Sequence, residues 1–229
     1  MGRIYENLKE AVNEIERDIT EMGIVVHPHT MQNKVVKDDD DYATLEVQNY
    51  SFCILNLDNK SQELSPKNLK WCRAEFLERV ASEFTNPGKA WSIRADVWQE
   101  FLVDGKMDYT YNERINYMQQ LQKVIKELKE NPDSRQCIIH LNFPEDSDHW
   151  RKRRIPCSLT YQLMIRRGKL DIIYNMRSGD FDTHFKNDIW LADELRNYIA
   201  LELGIQPGLY HMNIASLHRY KNYTKEHIF

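Results

Sequence analysis

Cys157 follows a proline and the basic run at residues 151–154, Arg177-Ser178 comes twenty residues later, and Asp188 eleven after that. A thiol attacks only as its thiolate, and neighbouring cations lower its pKa. Arg153, Arg154 and Arg177 are placed in the chain to supply such a field. An Arg-Ser pair offers a charge-assisted, bidentate donor and a hydroxyl to an anion such as a phosphate. A carboxyl beyond it accepts hydrogen bonds when ionised and donates one when protonated. The set suits nucleophilic catalysis; the alternative is a structural cysteine behind a solvated basic loop. Cys53, Cys72 and Cys137 lie in apolar segments and read as structural.

These residues need a scaffold. The chain has 229 residues and 41% apolar content, which fits one domain over residues 1–229 with a substantial core. A net charge of -4 gives no global basic field for a nucleic-acid polymer. Four dispersed cysteines without a CxxC pair suggest neither a disulfide framework nor a zinc site, so a reducing cytoplasm is expected. The Asp38–Asp41 run reads as a solvated loop rather than an ion site, since adjacent aspartates rarely converge on one ion. The N-terminal stretch is charged and lacks the apolar region of a signal peptide, and no segment has the length of a membrane span.

Tyr5, Leu8, Val12, Ile15 and Ile19 recur at helical spacing and predict one amphipathic helix. Residues 44–57 alternate as a strand or bent strand pair. Ser65-Pro66 is a helix start, with the helix expected to run towards Asn86-Pro87-Gly88. A second long helix is expected over residues 112–131, then a strand at 136–143. Residues 158–178 predict two strands joined by a tight turn at Arg167-Gly168, residues 188–204 a buried helix, and 208–220 a last strand. His218 and Tyr220, two apart on that strand, point to one face. The irregular alternation suggests an α+β domain, one large sheet covered by helices.

Five pieces, Asn131–Gln136 (NPDSRQ), Pro156–Gln162 (PCSLTYQ), Asn175–Asp180 (NMRSGD), Phe185–Asp188 (FKND) and Ser216–Tyr220 (SLHRY), together resemble the thymidylate synthase family in order and spacing. The match is nearest to its phage deoxycytidylate 5-hydroxymethylase branch. Three thinner matches lie in the N-terminal half, "RAEFLE" with Glu75, "VWQEF" with Trp98 and "YTYNE" with Tyr111. The resemblance implies a thymidylate synthase-like fold with a large mixed sheet and a sheet-mediated homodimer sharing its active site. It implies Cys157 as nucleophile at C6 of a pyrimidine nucleoside monophosphate, Glu75 as catalytic glutamate and Tyr111 as active-site tyrosine. Arg177 and Ser178 would hold the phosphate, His218 and Tyr220 the sugar hydroxyl, Trp98 and Asp180 the folate. Arg135 would grip the partner subunit's phosphate. The family's next arginine is Gln136 here, which leaves Arg153 or Arg154 as replacements. 5,10-Methylenetetrahydrofolate is the implied co-substrate.

At the base-reading position the uracil enzymes of this family carry asparagine and the cytosine hydroxymethylases aspartate. Uracil presents an N3–H donor beside an O4 acceptor, which a side-chain amide matches. Cytosine presents the reverse, which a protonated carboxyl matches. This chain has Asp188, preceded by Asn187, and Asp188 also stands where it can N-cap a helix. Ser158 and Met176 replace the histidine and glutamine common in thymidylate synthases, again as in the hydroxymethylase branch. The expected function is therefore hydroxymethyl transfer to dCMP or CMP. A methylating synthase on dUMP or dCMP and an inactive nucleotide-binding relative are the alternatives. The sequence ends nine residues past Tyr220, where thymidylate synthases generally continue into a segment that closes over the folate; a different pterin donor stays open.

Overall fold

The computed structural model describes residues 2–31, 34–37, 39–147 and 154–221. Arg153 and Asp38 lie outside them. The fold is α+β. One large mixed sheet runs in the order β1 (Arg3–Asn7), β5 (Thr44–Asn56), β9 (Gln206–Tyr220), β8 (Lys169–Asp180), β7 (Ser158–Arg166) and β6 (Ile138–His140). The short β2 (Ile24–Val26) adds to β5, and β3 (Thr30–Met31) pairs with β4 (Lys34–Val35) apart from the sheet. β8 and β9 are parallel, as are β1 and β5, while the other main-sheet pairings are antiparallel.

Helix α1 (Leu8–Met22) buries Leu8, Ala11, Ile15 and Ile19 towards the sheet. Each such large aliphatic side chain is worth about 1.5–3 kcal/mol on leaving water. The expected helix starts later than its periodicity indicates. Tyr5 belongs to β1, whose register places it opposite Ile54, and Asn7 caps α1 by accepting from Glu10 N at 3.0 Å. Strand pairing outweighs local periodicity there.

Helix α2 (Pro66–Val80) begins as expected, with Ser65 Oγ accepting from Asn68 N at 3.2 Å. It stops at Val80, short of the expected end. Its last carbonyls are taken by side-chain amides: Asn112 donates to Ala81 O at 3.0 Å, and Asn116 to Arg79 O at 3.1 Å and Ala81 O at 3.0 Å. Those amides come from the second and the last residue of α4 (Tyr111–Asn116), whose N-cap Thr110 forms a capping box with Glu113. The short α3 (Ala95–Trp98) lies between.

The second long helix is broken in two. Met118 and Gln119 take φ of 49° and 60°, and α5 (Gln120–Glu130) starts afresh. The Gln120 amide bridges the break, donating to Arg114 O at 2.9 Å and His140 O at 3.0 Å and accepting from His140 N at 2.8 Å. No glycine or proline marks this kink in the sequence. The Arg167-Gly168 turn forms as expected, both residues at positive φ. Helix α6 (Phe185–Leu203) packs at the centre of the main core, burying Phe185, Ile189, Leu195 and Ile199. It begins before Asp188: the N-cap is His184. Asp188 lies in the first turn, donating its backbone N–H to His184 O at 2.9 Å, so it does not cap the helix.

Candidate active site

One cavity of about 410 Å³ opens where the C-terminal ends of β8 and β9, the start of α6 and the helices α2 and α4 meet. That volume suits a small-molecule ligand. Parallel pairing of β8 with β9 sets Ser178 beside Ser216 and Asp180 beside His218, and all four line the cavity. Cys157, Arg177 and Tyr220 line it from the same side; Glu75, Trp98, Tyr111 and Asp188 complete the set. Chain-distant residues thus converge on one space.

Cys157 is held by its neighbours. Arg177 donates through Nε to Pro156 O and through a terminal nitrogen to Ile155 O, each at 2.9 Å, and that nitrogen lies 3.8 Å from Cys157 Sγ. The loop before the thiol is thereby tied to β8. The expected depression of the thiol does not follow. Burial pushes the Cys157 thiol up, Asp188 adds to the rise, and Arg177 and Arg154 offset only part of it. Cys53, Cys72 and Cys137 are free and buried, away from the cavity lining.

Asp188 points into the cavity, and burial pushes its carboxyl up to about 7, against the pull of Arg79 and Arg94 and with help from Asp180. Asn187 faces elsewhere: it is buried, and its amide donates to Thr183 O at 3.3 Å. The geometry thus presents the carboxyl, not the neighbouring amide. Ser158 is buried in a hydroxyl chain, 3.0 Å from Tyr111 OH and 2.5 Å from Tyr174 OH. Asp180 spends Oδ1 on Asp182 N and Thr183 N, both at 3.1 Å, fixing the turn into α6.

The opposite wall is aromatic. Trp98 stacks on Trp71 at 6.1 Å and tilts against Phe101 at 6.0 Å and His184 at 5.4 Å. His184 is lowered to about 4, burial first and Arg94 second, so its ring is neutral near pH 7. Arg154 lines this wall with its guanidinium over Phe101, Trp98 and Tyr109 at 4.4, 5.0 and 5.4 Å. It therefore faces its own chain's cavity, not outward as a replacement for the partner-directed grip. Arg135 is exposed just before β6, away from the cavity lining, where its carbonyl accepts from Gln162.

Sequence reasoning missed Arg79, Arg94 and His184. Arg79 was findable: it stands four residues after Glu75 on a helix, and its Nε donates to Glu75 Oε1 at 2.9 Å. Arg94, almost wholly buried and 5.2 Å above the Trp71 ring, carried no comparable sign.

A profile of the family described as thymidylate synthase matches residues 52–228. The chain belongs to the thymidylate synthase family. It is similar to thymidylate synthase of Mycoplasma genitalium, 26% identical over 157 residues, 62% of this chain and 54% of that one. A putative thymidylate synthase of Methanosarcina acetivorans is 24% identical over 179 residues, covering 76% of this chain and 75% of that one. The fold is like that of thermostable thymidylate synthase A from Bacillus subtilis, with a TM-score of 0.72 at 21% identity over 93% of this chain and 80% of that one. The chain spans about half the length of the Mycoplasma and equine herpesvirus relatives. Among the described residues no helix is long and apolar enough to cross a membrane.

Proposed function

We propose that the protein transfers a one-carbon unit to C5 of a cytidine monophosphate, dCMP or CMP, and releases the 5-hydroxymethyl nucleotide. The observation that carries this reading is the Asp188 carboxyl, set in the same cavity as Cys157 and still able to hold a proton near neutral pH. A protonated Asp188 donates to N3 of cytosine and accepts from its N4 amino group. That withdraws electrons from the ring and helps C6 accept the Cys157 sulfur as the thiol gives up its proton to solvent. The S–C6 bond then places electron density on C5, which makes the new carbon bond.

Arg177 and Ser178 offer cation and hydroxyl to the 5′-phosphate, and His218 and Tyr220, both on β9 and both lining the cavity, are assigned to the sugar hydroxyl. Bound phosphate would leave Arg177 beside both anion and sulfur. Arg135, exposed and outside its own cavity, fits the role of reaching a partner subunit's nucleotide. The homodimer is proposed through the sheet face that carries Ser51, Thr160, Asn175 and Asn213. Across it Ser51, Asn213, Asn175 and Thr160 form a polar ladder with bonds of 2.7, 2.9 and 3.0 Å.

The aromatic wall fits a planar co-substrate such as 5,10-methylenetetrahydrofolate. Trp98 offers a ring, its Nε1 is buried without a partner among the described residues, and Asp180 lies in the same lining. That co-substrate supplies the methylene carbon. In that transfer C5 gives up its hydrogen as a proton to solvent, and the bond between the methylene carbon and the co-substrate nitrogen would break with its electron pair leaving on nitrogen, so that the C5–H pair forms the exocyclic double bond. Glu75 then takes a proton from water as the water oxygen bonds to the exocyclic carbon. The electron pair of the exocyclic double bond returns to C5–C6, and the Cys157 thiolate leaves.

Tritium release from C5 tests this. Parallel incubations with C5-tritiated dCMP, CMP and dUMP and the folate are expected to release tritium from a cytosine nucleotide, and mass spectrometry to find the hydroxymethyl product. Release from dUMP alone would defeat the base assignment, and a methylated product the hydration step. The second reading, a methylating synthase on dUMP, is favoured by the names of the relatives.

A further inference from the structure

The aromatic wall carries a run of side chains that can only donate. Arg94 lies 5.2 Å over the Trp71 ring, Trp71 stacks on Trp98 at 6.1 Å and 22°, and Arg154 lies 5.0 Å over Trp98. Each of the four has a buried nitrogen without a hydrogen-bond partner among the described residues: Arg94 Nη1, Trp71 Nε1, Trp98 Nε1 and Arg154 Nε. Indole and guanidinium nitrogens donate and do not accept. Buried donors left unbonded are costly, so this wall is complementary to a ligand edge rich in acceptors.

Arg154 makes the demand specific. It lines the cavity and is only 8% exposed. The Phe101, Trp98 and Tyr109 rings pack against its guanidinium. Among the described residues Arg154 has no ion pair; the carboxylate it meets, Asp108, accepts from its backbone N–H at 2.8 Å. Carboxylates elsewhere in the lining are engaged: Glu75 by Arg79, Glu78 by the N–H groups of Lys89 and Ala90, and Asp180 by those of Asp182 and Thr183. Aromatic faces attract a cation but do not cancel its charge. A buried cation without a counter-charge is therefore ready to take an anion. The guanidinium is near enough to Cys157 to pull its thiol down, which sets a ligand held here beside the nucleophile.

We propose that Arg154 is a specificity-determining residue that binds a carboxylate of the planar second substrate while a ring of that substrate lies on Trp98. This deepens the co-substrate assignment made above and rests on it for the identity of the ligand. A carboxylate meets the flat guanidinium fork through two parallel hydrogen bonds. The nucleotide phosphate is assigned to the other wall, with Arg177 and Ser178.

Isothermal titration calorimetry tests this with two pairs of probes, each a carboxylate and its neutral carboxamide. The first pair is tetrahydrofolate and its diamide. The second is 2-naphthoate and 2-naphthamide, which carry a flat ring and no pterin. Wild type is expected to bind tetrahydrofolate about 100-fold tighter than the diamide, and naphthoate about 10-fold tighter than naphthamide. Arg154→Met and Arg154→Gln should lose both preferences, and Arg154→Lys should regain part of them. In C5-tritium assays the two neutral variants should raise KM for the folate about 100-fold and lower kcat far less.

Equal binding of carboxylate and carboxamide by wild type overturns the proposal, as does a preference that survives in a folded neutral variant. Loss of dCMP affinity in those variants, with the carboxylate preference kept, gives the cation to the nucleotide phosphate and overturns it too. If both neutral variants fail to fold, Arg154→Lys decides: a point charge in place of the fork should cut the tetrahydrofolate preference about 5-fold or more, and an unchanged preference overturns the proposal. Arg154-dependent binding of naphthoate without binding of tetrahydrofolate would defeat the folate assignment and leave the carboxylate site standing.

Discussion

The cavity has two unlike walls. On the sheet side, Ser178, Asp180, Ser216 and His218 are placed by the backbone ladder between β8 and β9. On the helical side, Glu75 and Arg79 are placed by side-chain bonds, chiefly the Asn112 and Asn116 amides that end α2. A ladder distributes positional error over many hydrogen bonds, whereas a few buried amides concentrate it. Sheet-side residues should therefore tolerate replacement without structural loss, and helix-side supports should not.

The largest expected effect tests the sheet wall. Cys157→Ser should cut C5-tritium release by about 10⁴-fold or more while leaving the thermal midpoint nearly unchanged. A large drop in the midpoint would contradict the tolerance assigned to that wall. Next, Asp188→Asn should swing preference between dCMP and dUMP by on the order of 10²–10⁴, since two base-edge groups change partner at about 1–3 kcal/mol each. Competition between the two labelled nucleotides measures it.

The same variant carries a stability signature. The Asp188 pKa is raised to about 7 from an ordinary 3.8. Its contribution is full below the ordinary value and is lost as pH rises through the raised one. Relative to wild type, Asp188→Asn should therefore gain stability as pH rises through about 7, and the gain should disappear towards about pH 4. Urea titrations across that range are the check, and a pH-independent difference would break the assignment of a dehydrated carboxyl.

On the helical wall, Asn116→Ala should cost about 1–3 kcal/mol, because its amide serves the carbonyls of Arg79 and Ala81. Catalysis should fall further than nucleotide affinity, since the support under Glu75 goes while Arg177 and Ser178 remain. The smallest effect sharpens the contrast. Ser65→Ala removes only the N-cap of α2, at the end away from Arg79, and should cost about 1 kcal/mol with activity unchanged.

Legibility follows the same division. The β7–β8 hairpin, the last strand and the central helix α6 were readable because turn chemistry, alternation and apolar content act locally. The start of α1, the end of α2 and the break at Met118-Gln119 were not. Each is decided by a distant partner: β5 for Tyr5, α4 for the α2 carbonyls, β6 for Gln120. Within the cavity, Arg177 was legible beside Ser178, whereas Arg154 turned inward to an aromatic wall that no spacing announces.

The amino-acid order alone determined which side chains are available for chemistry, the thymidylate synthase family motifs, and a carboxyl rather than an amide at position 188. Only the tertiary structure decided the protonation tendencies of those groups. Burial raised Cys157 despite its cationic neighbours, lifted Asp188 towards neutrality and fixed Arg79 on Glu75. Charge type is a property of the residue, but the cost of ionising it depends on how much water the packed chain leaves around it.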